Sequence, residues 1–189
     1  LSDPFRVLLP PKNRIILGRE FFSTTQEELT SHEEFQKHLP KTFYSSILYW
    51  IERFKEEAKE EPSEVKLEVQ KRQGCRLFHR DHVRHRIVVT YYGATTEWIP
   101  NQYINEDGMN WKSNDDLHPR KDESEDSYVD RRNQYVVKDW SRVQSAPFQG
   151  AVFMEGLQVR PDACVHRAPP FLKKHRVILV LTSSDHVSH

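Results

Sequence analysis

An antiparallel β sandwich or barrel preceded by helices is the architecture this sequence predicts, on three observations. Apolar residues recur at helical spacing from Phe43 to Ala58, a strict two-residue alternation begins at Val65, and short β-like runs separated by Gly, Pro and Asn occupy most of the chain beyond it. At 189 residues the chain is long enough for one domain with a sizeable core.

Taken in order, Thr24 and Thr25 ahead of Gln26-Glu27-Glu28-Leu29 supply a helix cap, and Ser31 with Glu34 forms a capping box leading into Phe35 and Leu39. A short helix is expected there. A stronger helix follows Pro40, with Phe43, Ile47, Trp50, Ile51, Phe54 and Ala58 on one face and Glu52, Arg53, Lys55 and Glu56 on the other. Glu60-Glu61-Pro62-Ser63 ends it, so that the helical part covers about residues 20–60. Val65, Leu67 and Val69 then alternate with Glu64, Lys66, Glu68 and Gln70, the period of a half-exposed strand. Further strands are expected at Cys75–Asp81, Arg86–Tyr92, Thr96–Ile99, Ala151–Met154, Ala163–His166 and Arg176–Thr182, giving a β core over 64–182. Asn105 to Asp130 interrupts the pattern with nine acids against three bases, and reads as a solvated insertion, either a lid or disordered.

Composition narrows the function classes. The 28 Lys+Arg balance 28 Asp+Glu, so no global charge argues for a nucleic-acid or membrane-surface protein. Two cysteines, Cys75 and Cys164, are too few for a disulfide scaffold. No apolar run is long enough for a membrane span, and Leu1-Ser2-Asp3-Pro4 lacks the features of a signal peptide, which makes the cytoplasm the default expectation.

The segment that carries chemistry is Phe78-His79-Arg80-Asp81. Residues two apart on a strand project from one face, so His79 and Asp81 converge on one point. His166, at the end of a late apolar run, supplies a second imidazole. Two imidazoles and one carboxylate on one face of an octahedral ion leave the opposite positions open, as Fe(II) requires to bind a cosubstrate and dioxygen. Arg176 lies ten residues after His166 and opens the run Val177-Ile178-Leu179-Val180-Leu181. Its permanently charged fork suits the far carboxylate of a diacid such as 2-oxoglutarate.

His-x-Asp, a distal His and an Arg about ten residues further on resemble the motif of the Fe(II)/2-oxoglutarate-dependent dioxygenases, over Leu77 to Thr182. The resemblance implies a double-stranded β-helix of the cupin-like jelly-roll type. It implies Fe(II) on His79, Asp81 and His166, 2-oxoglutarate as cosubstrate held by Arg176, and hydroxylation or demethylation of a substrate. Separately, His79-Arg80-Asp81-His82-Val83-Arg84, Thr90-Tyr91-Tyr92-Gly93, Thr96-Glu97-Trp98-Ile99-Pro100 and His166-Arg167-Ala168-Pro169-Pro170 resemble an uncharacterised domain family of unknown function.

Other readings use the same residues. A non-catalytic cupin-like module would keep a structural zinc or no metal and dock a partner, and a cupin-type metal enzyme would dispense with 2-oxoglutarate. Cys164 shares a strand face with His166 and would suit zinc, although a small buried hydrophobe is its commoner fate. His82 falls on the opposite face from His79; His85 shares the cavity only if the strand continues without a bend after Asp81. Between Lys71 and Arg86, six bases accompany one acid, Asp81. Such a rim favours an anionic substrate, nucleic acid included, unless the acidic insertion balances it.

Overall fold

The computed structural model describes residues 5–8, 23–24, 41–70, 74–110, 117–170 and 176–185. Helix α1 (Lys41–Ala58) buries Phe43, Ile47, Trp50, Ile51 and Phe54, the stripe that the helical repeat predicts. Each such side chain contributes about 2 kcal/mol on removal from water. The helix ends where Lys59 turns into the left-handed region at φ 59° and its N–H reaches the Lys55 carbonyl.

Nine strands follow one another among the described residues: β1 (Phe5–Leu8), β2 (Ser23–Thr24), β3 (Glu64–Gln70), β4 (His85–Tyr92), β5 (Glu97–Ile99), β6 (Gln144–Ser145), β7 (Ala151–Glu155), β8 (Val165–Arg167) and β9 (Arg176–Ser183). They form a six-stranded sheet in the order β1-β7-β4-β9-β3-β2 and a three-stranded sheet in the order β6-β5-β8. Every pairing is antiparallel.

Alternation along the strands sorts the side chains into layers. Val65, Leu67, Ile87, Val89, Tyr91, Phe153, Val177, Leu179 and Leu181 pack with α1 on the outer face of the large sheet. Val88, Val152, Met154 and Val180 meet Trp98 of the small sheet, with Ala146 and Cys164 that flank its strands, between the two. The outer face of the small sheet presents Ile99 and Val165, which join Phe78, Ile104, Val136 and Val137. The result is a mixed architecture of helices and antiparallel sheets.

Several sequence expectations are corrected here. The acidic stretch is not simply a solvated loop: it contributes α2 (Glu106–Met109) and the start of α3 (Glu125–Val136), whose Val129, Arg132, Asn133 and Val136 are buried against the small sheet. Residues 111–116 of that stretch, and the short helix expected at Gln26–Leu39, lie outside the described residues. Ser23 and Thr24 pair with β3 and so extend the large sheet within the part expected to be helical. Cys75–Asp81 makes a single bridge, between His79 and His166, in place of a full strand. None of the described helices is long and apolar enough to cross a membrane.

Glu60, just past α1, ties the helix to the turn after Asp81. It accepts from Ser183 Oγ at 2.6 Å, from Arg84 Nε at 3.0 Å and from His85 Nδ1 at 2.5 Å. Burial alone would raise its pKa, but the Ser183 and His85 hydrogen bonds and the Arg84 charge outweigh it and hold the carboxyl below its ordinary 4.5. A folded-state pKa below the unfolded one adds stability above the unfolded value that is lost as pH falls through the folded value. Glu60→Ala is therefore expected to cost about 2 kcal/mol at neutral pH. Urea unfolding at successive pH values should show that deficit shrinking below pH 4.5.

Candidate metal centre

His79 and His166 face each other across an antiparallel bridge, each backbone N–H donating to the other's carbonyl at 3.0 Å. Directly opposed residues share a face, and the two imidazole centroids lie 4.5 Å apart. On the far side of β8, Trp98 stands opposite His166 and closes the layer. Asn133 of α3 holds the segment carrying His79: its side-chain oxygen accepts from Phe78 N–H and its amide donates to the Arg76 carbonyl, both at 2.9 Å. The chain then bends after Asp81. Leu157 N–H and Gln158 N–H bond to the Asp81 and Val83 carbonyls, and Gly156 N–H bonds to Arg84. A Cβ at position 156 would stand 2.2 Å from the Val83 carbonyl oxygen, so glycine alone permits this approach.

Asp81 sits between the imidazoles. Its Oδ1 lies 3.4 Å from His79 Nε2 and its Oδ2 lies 3.2 Å from His166 Nε2. Adjacent ligands at about 2.1 Å from one ion are about 3.0 Å apart in an octahedron and about 3.4 Å in a tetrahedron. Each imidazole thus stands at about such a separation from one of the two Asp81 oxygens. All three ligand atoms lie within 4.8 Å of one another, and the group could hold a metal ion. His79 Nδ1 donates to the Leu77 carbonyl at 2.8 Å, which orients the ring and leaves Nε2 toward Asp81. His166 Nδ1, by contrast, is buried without a hydrogen-bond partner among the described residues.

The charges are mutually arranged. Burial alone would raise the Asp81 pKa, but hydrogen bonds from His166 and His79 and the Arg86 charge hold it far below the carboxylate range. Burial opposes the charged form of His79 as well, yet Asp81 and Cys75 push that imidazole up to about 10. For the more deeply buried His166, desolvation prevails over Asp81 and the pKa falls. Without metal, Asp81 is ionised, His79 carries the proton and His166 is neutral.

The two imidazoles of this triad, His79 and His166, border a cavity of about 280 Å³ between the sheets, into which β9 projects Arg176, Ile178 and Val180. Arg176 is 4% exposed and donates to Gln70 Oε1 at 3.2 Å and Thr96 Oγ1 at 3.3 Å. Both partners are neutral, and its Nε has none among the described residues. Burial lowers its pKa to about 10, with Glu68 opposing at longer range. A buried cation matched only by neutral groups is costly, and an anion entering the cavity would offset that cost.

The structure thus brings His79, Asp81 and His166 together and sets Arg176 on the wall of the same cavity. It also adds residues that sequence reasoning missed. Arg86 Nη1 bonds Asp81 Oδ2 at 2.6 Å, Thr96 and Gln70 hold Arg176, and Cys75 lies beside His79 in the cavity wall. Gln70 could have been found from register alone, since it pairs directly with Arg176. His82 is exposed. His85 stacks on Phe153 on the outer face and bonds Glu60, because the chain bends after Asp81. Cys164 packs among apolar side chains.

The expected basic rim is neutralised by the acidic stretch and by nearby carboxylates. Arg76 pairs with Asp126, Arg80 with Glu106 at 2.7 Å, Arg84 with Glu60 at 3.0 Å and Arg86 with Asp81 at 2.6 Å. Lys71 and Arg72 lie outside the described residues.

An antiparallel two-sheet scaffold with a His/Asp/His group capable of holding a metal is thus the class of protein that fold and site define. The chain belongs to DUF1826, a family of proteins of unknown function, whose profile matches residues 7–182. Comparison with curated proteins and with solved structures finds no match.

A dication binding here must displace the proton that His79 carries. Because the His79 pKa stands near 10, affinity for Co(II) is expected to rise about tenfold per pH unit around neutrality, with one proton released. Calorimetric titration in two buffers of different ionisation enthalpy measures that proton; binding without release would place the charge elsewhere.

Proposed function

We propose that this chain is an Fe(II)- and 2-oxoglutarate-dependent oxygenase acting on a substrate C–H bond. The observation that carries the reading is one cavity bordered both by His79 and His166, the two imidazoles grouped with Asp81, and by Arg176, a buried cation with no carboxylate in ion-pair range among the described residues. In this reading, the triad holds Fe(II). Arg176, with Thr96 and Gln70 beside it, takes the far carboxylate of 2-oxoglutarate.

The sheet order supports the same reading. From β3 onward, β3, β4, β7 and β9 lie in the large sheet and β5, β6 and β8 in the small one, with the His79 segment bridged to β8. Adding that segment gives two four-stranded layers, ordered β3-β9-β4-β7 and His79-β8-β5-β6, the arrangement expected of a double-stranded β-helix.

Iron would couple oxidation of 2-oxoglutarate by dioxygen, to succinate and carbon dioxide, to hydroxylation of the substrate. The chain's own residues do the rest. His79, Asp81 and His166 would hold the ion, the Arg176 fork would fix the direction from which the diacid approaches, and Ile178, Val180 and Val88 line the cavity with apolar surface.

Anaerobic titration of the Fe(II)-loaded protein with 2-oxoglutarate tests this directly. A weak visible charge-transfer band is expected, absent in Arg176→Met, with at least tenfold weaker diacid binding and unchanged iron content. His79→Ala and Asp81→Ala should lose iron while keeping the wild-type circular dichroism spectrum. No band in verified iron-loaded wild type would refute the 2-oxoglutarate assignment and favour a cupin-type metal enzyme or a metal-binding module. Full iron occupancy in Asp81→Ala would refute the ligand set.

A further inference from the structure

We infer that Arg86 is a positioning residue that restricts Asp81 to one metal-facing oxygen and thereby keeps a coordination position of the ion free. The inference rests on reading the triad as a metal centre and is independent of 2-oxoglutarate. Arg86 lies on the inward face of β4, opposite Thr182 of β9. Its guanidinium is fixed at two points, with Nη1 on Asp81 Oδ2 at 2.6 Å and Nε on Thr182 Oγ1 at 3.2 Å.

The two carboxylate oxygens are consequently unequal. Oδ2 is taken by Arg86 and has His166 Nε2 at 3.2 Å, whereas Oδ1 has His79 Nε2 at 3.4 Å. A carboxylate can bind a dication through one oxygen or both. With one, two imidazoles and Asp81 fill three of about six positions; with both, a fourth is lost to the protein. A charge-assisted hydrogen bond from a guanidinium held in place by Thr182 competes with the metal for Oδ2, and this competition selects the single-oxygen mode.

The alternative, a merely nearby positive charge, makes a different prediction. Removing a simple charge would tighten metal binding and leave the ligand set alone. Removing a guanidinium that occupies Oδ2 frees that oxygen for the ion, and a bound water leaves.

Mn(II) alone reports the difference, because its enhancement of water-proton relaxation scales with the number of inner-sphere waters. For wild type and Arg86→Lys, which keeps a cationic donor, the enhancement at full occupancy should agree. In Arg86→Met it should fall by about one third, from three open positions to two. Arg86→Gln serves the same purpose if the methionine variant does not fold, with folding followed by thermal unfolding. Equal relaxation enhancement in wild type and a folded, Mn(II)-saturated Arg86→Met or Arg86→Gln variant overturns the role of Arg86 while leaving the metal centre intact. Failure of wild type to bind Mn(II), Co(II) or Fe(II) removes the metal centre itself, and Arg86 with it.

Discussion

The alternation of side chains along β9 is the constraint on which the rest of this molecule depends. Val177, Leu179 and Leu181 seal the large sheet against α1, while Arg176, Ile178, Val180 and Thr182 face the space between the sheets. A slip of one residue would exchange the two sets, placing a guanidinium against Trp50 and Phe54 and emptying the cavity wall of its cation. The register with β3 and β4 prevents this, since seven consecutive pairs join β3 to β9 from Glu64–Thr182 to Gln70–Arg176. Helix packing on one face and site geometry on the other are thus one decision.

Charge within the sandwich is arranged as strictly. Asp81 is the sole carboxylate of the His/Asp/His group, and it faces two imidazoles and a guanidinium. A buried carboxylate needs such donors to remain ionised. Arg176 stands in the opposite condition, a cation among amide and hydroxyl oxygens. The two sites are therefore chemically unlike: Asp81 is already in contact with cationic donors, whereas Arg176 has only neutral hydrogen-bond partners, with Glu68 acting at longer range. That asymmetry gives any elongated anion a preferred direction.

Much of this was legible in the sequence, and the exceptions have physical causes. His79 and Asp81 were visible because period two is a property of any strand, and the bridge to His166 gives His79 strand-like geometry even though the run is not a full strand. The α1 stripe was visible because all its buried members except Ser46 are apolar. Helix α3 was not, because two of its four buried residues, Arg132 and Asn133, are polar and conceal a helical spacing that runs from Val129 to Val136. The acidic stretch read as solvated because the bases that neutralise its carboxylates, Arg76 and Arg80, precede it by tens of residues. Arg86 could be counted but not placed, since its role depends on the turn after Asp81 bringing β4 back past the carboxylate. Strands β1, β2 and β6, each four residues or fewer, carry too little pattern to detect.

The place of β9 also governs how the chain must assemble. β9 is the last of the nine described strands to be synthesised, yet it lies between β3 and β4, two of the earlier ones. Until it inserts, the large sheet has no hydrogen-bonded continuity across its middle, and α1 has only part of the surface it will cover. Pairings of such long sequence separation are slow to form, because loop closure is paid before the contacts are gained. A ribosome-bound chain lacking β9 would expose two facing strand edges, a template for pairing with other chains. Its imidazoles and carboxylate would already have been made, but the sheet behind them would still be open.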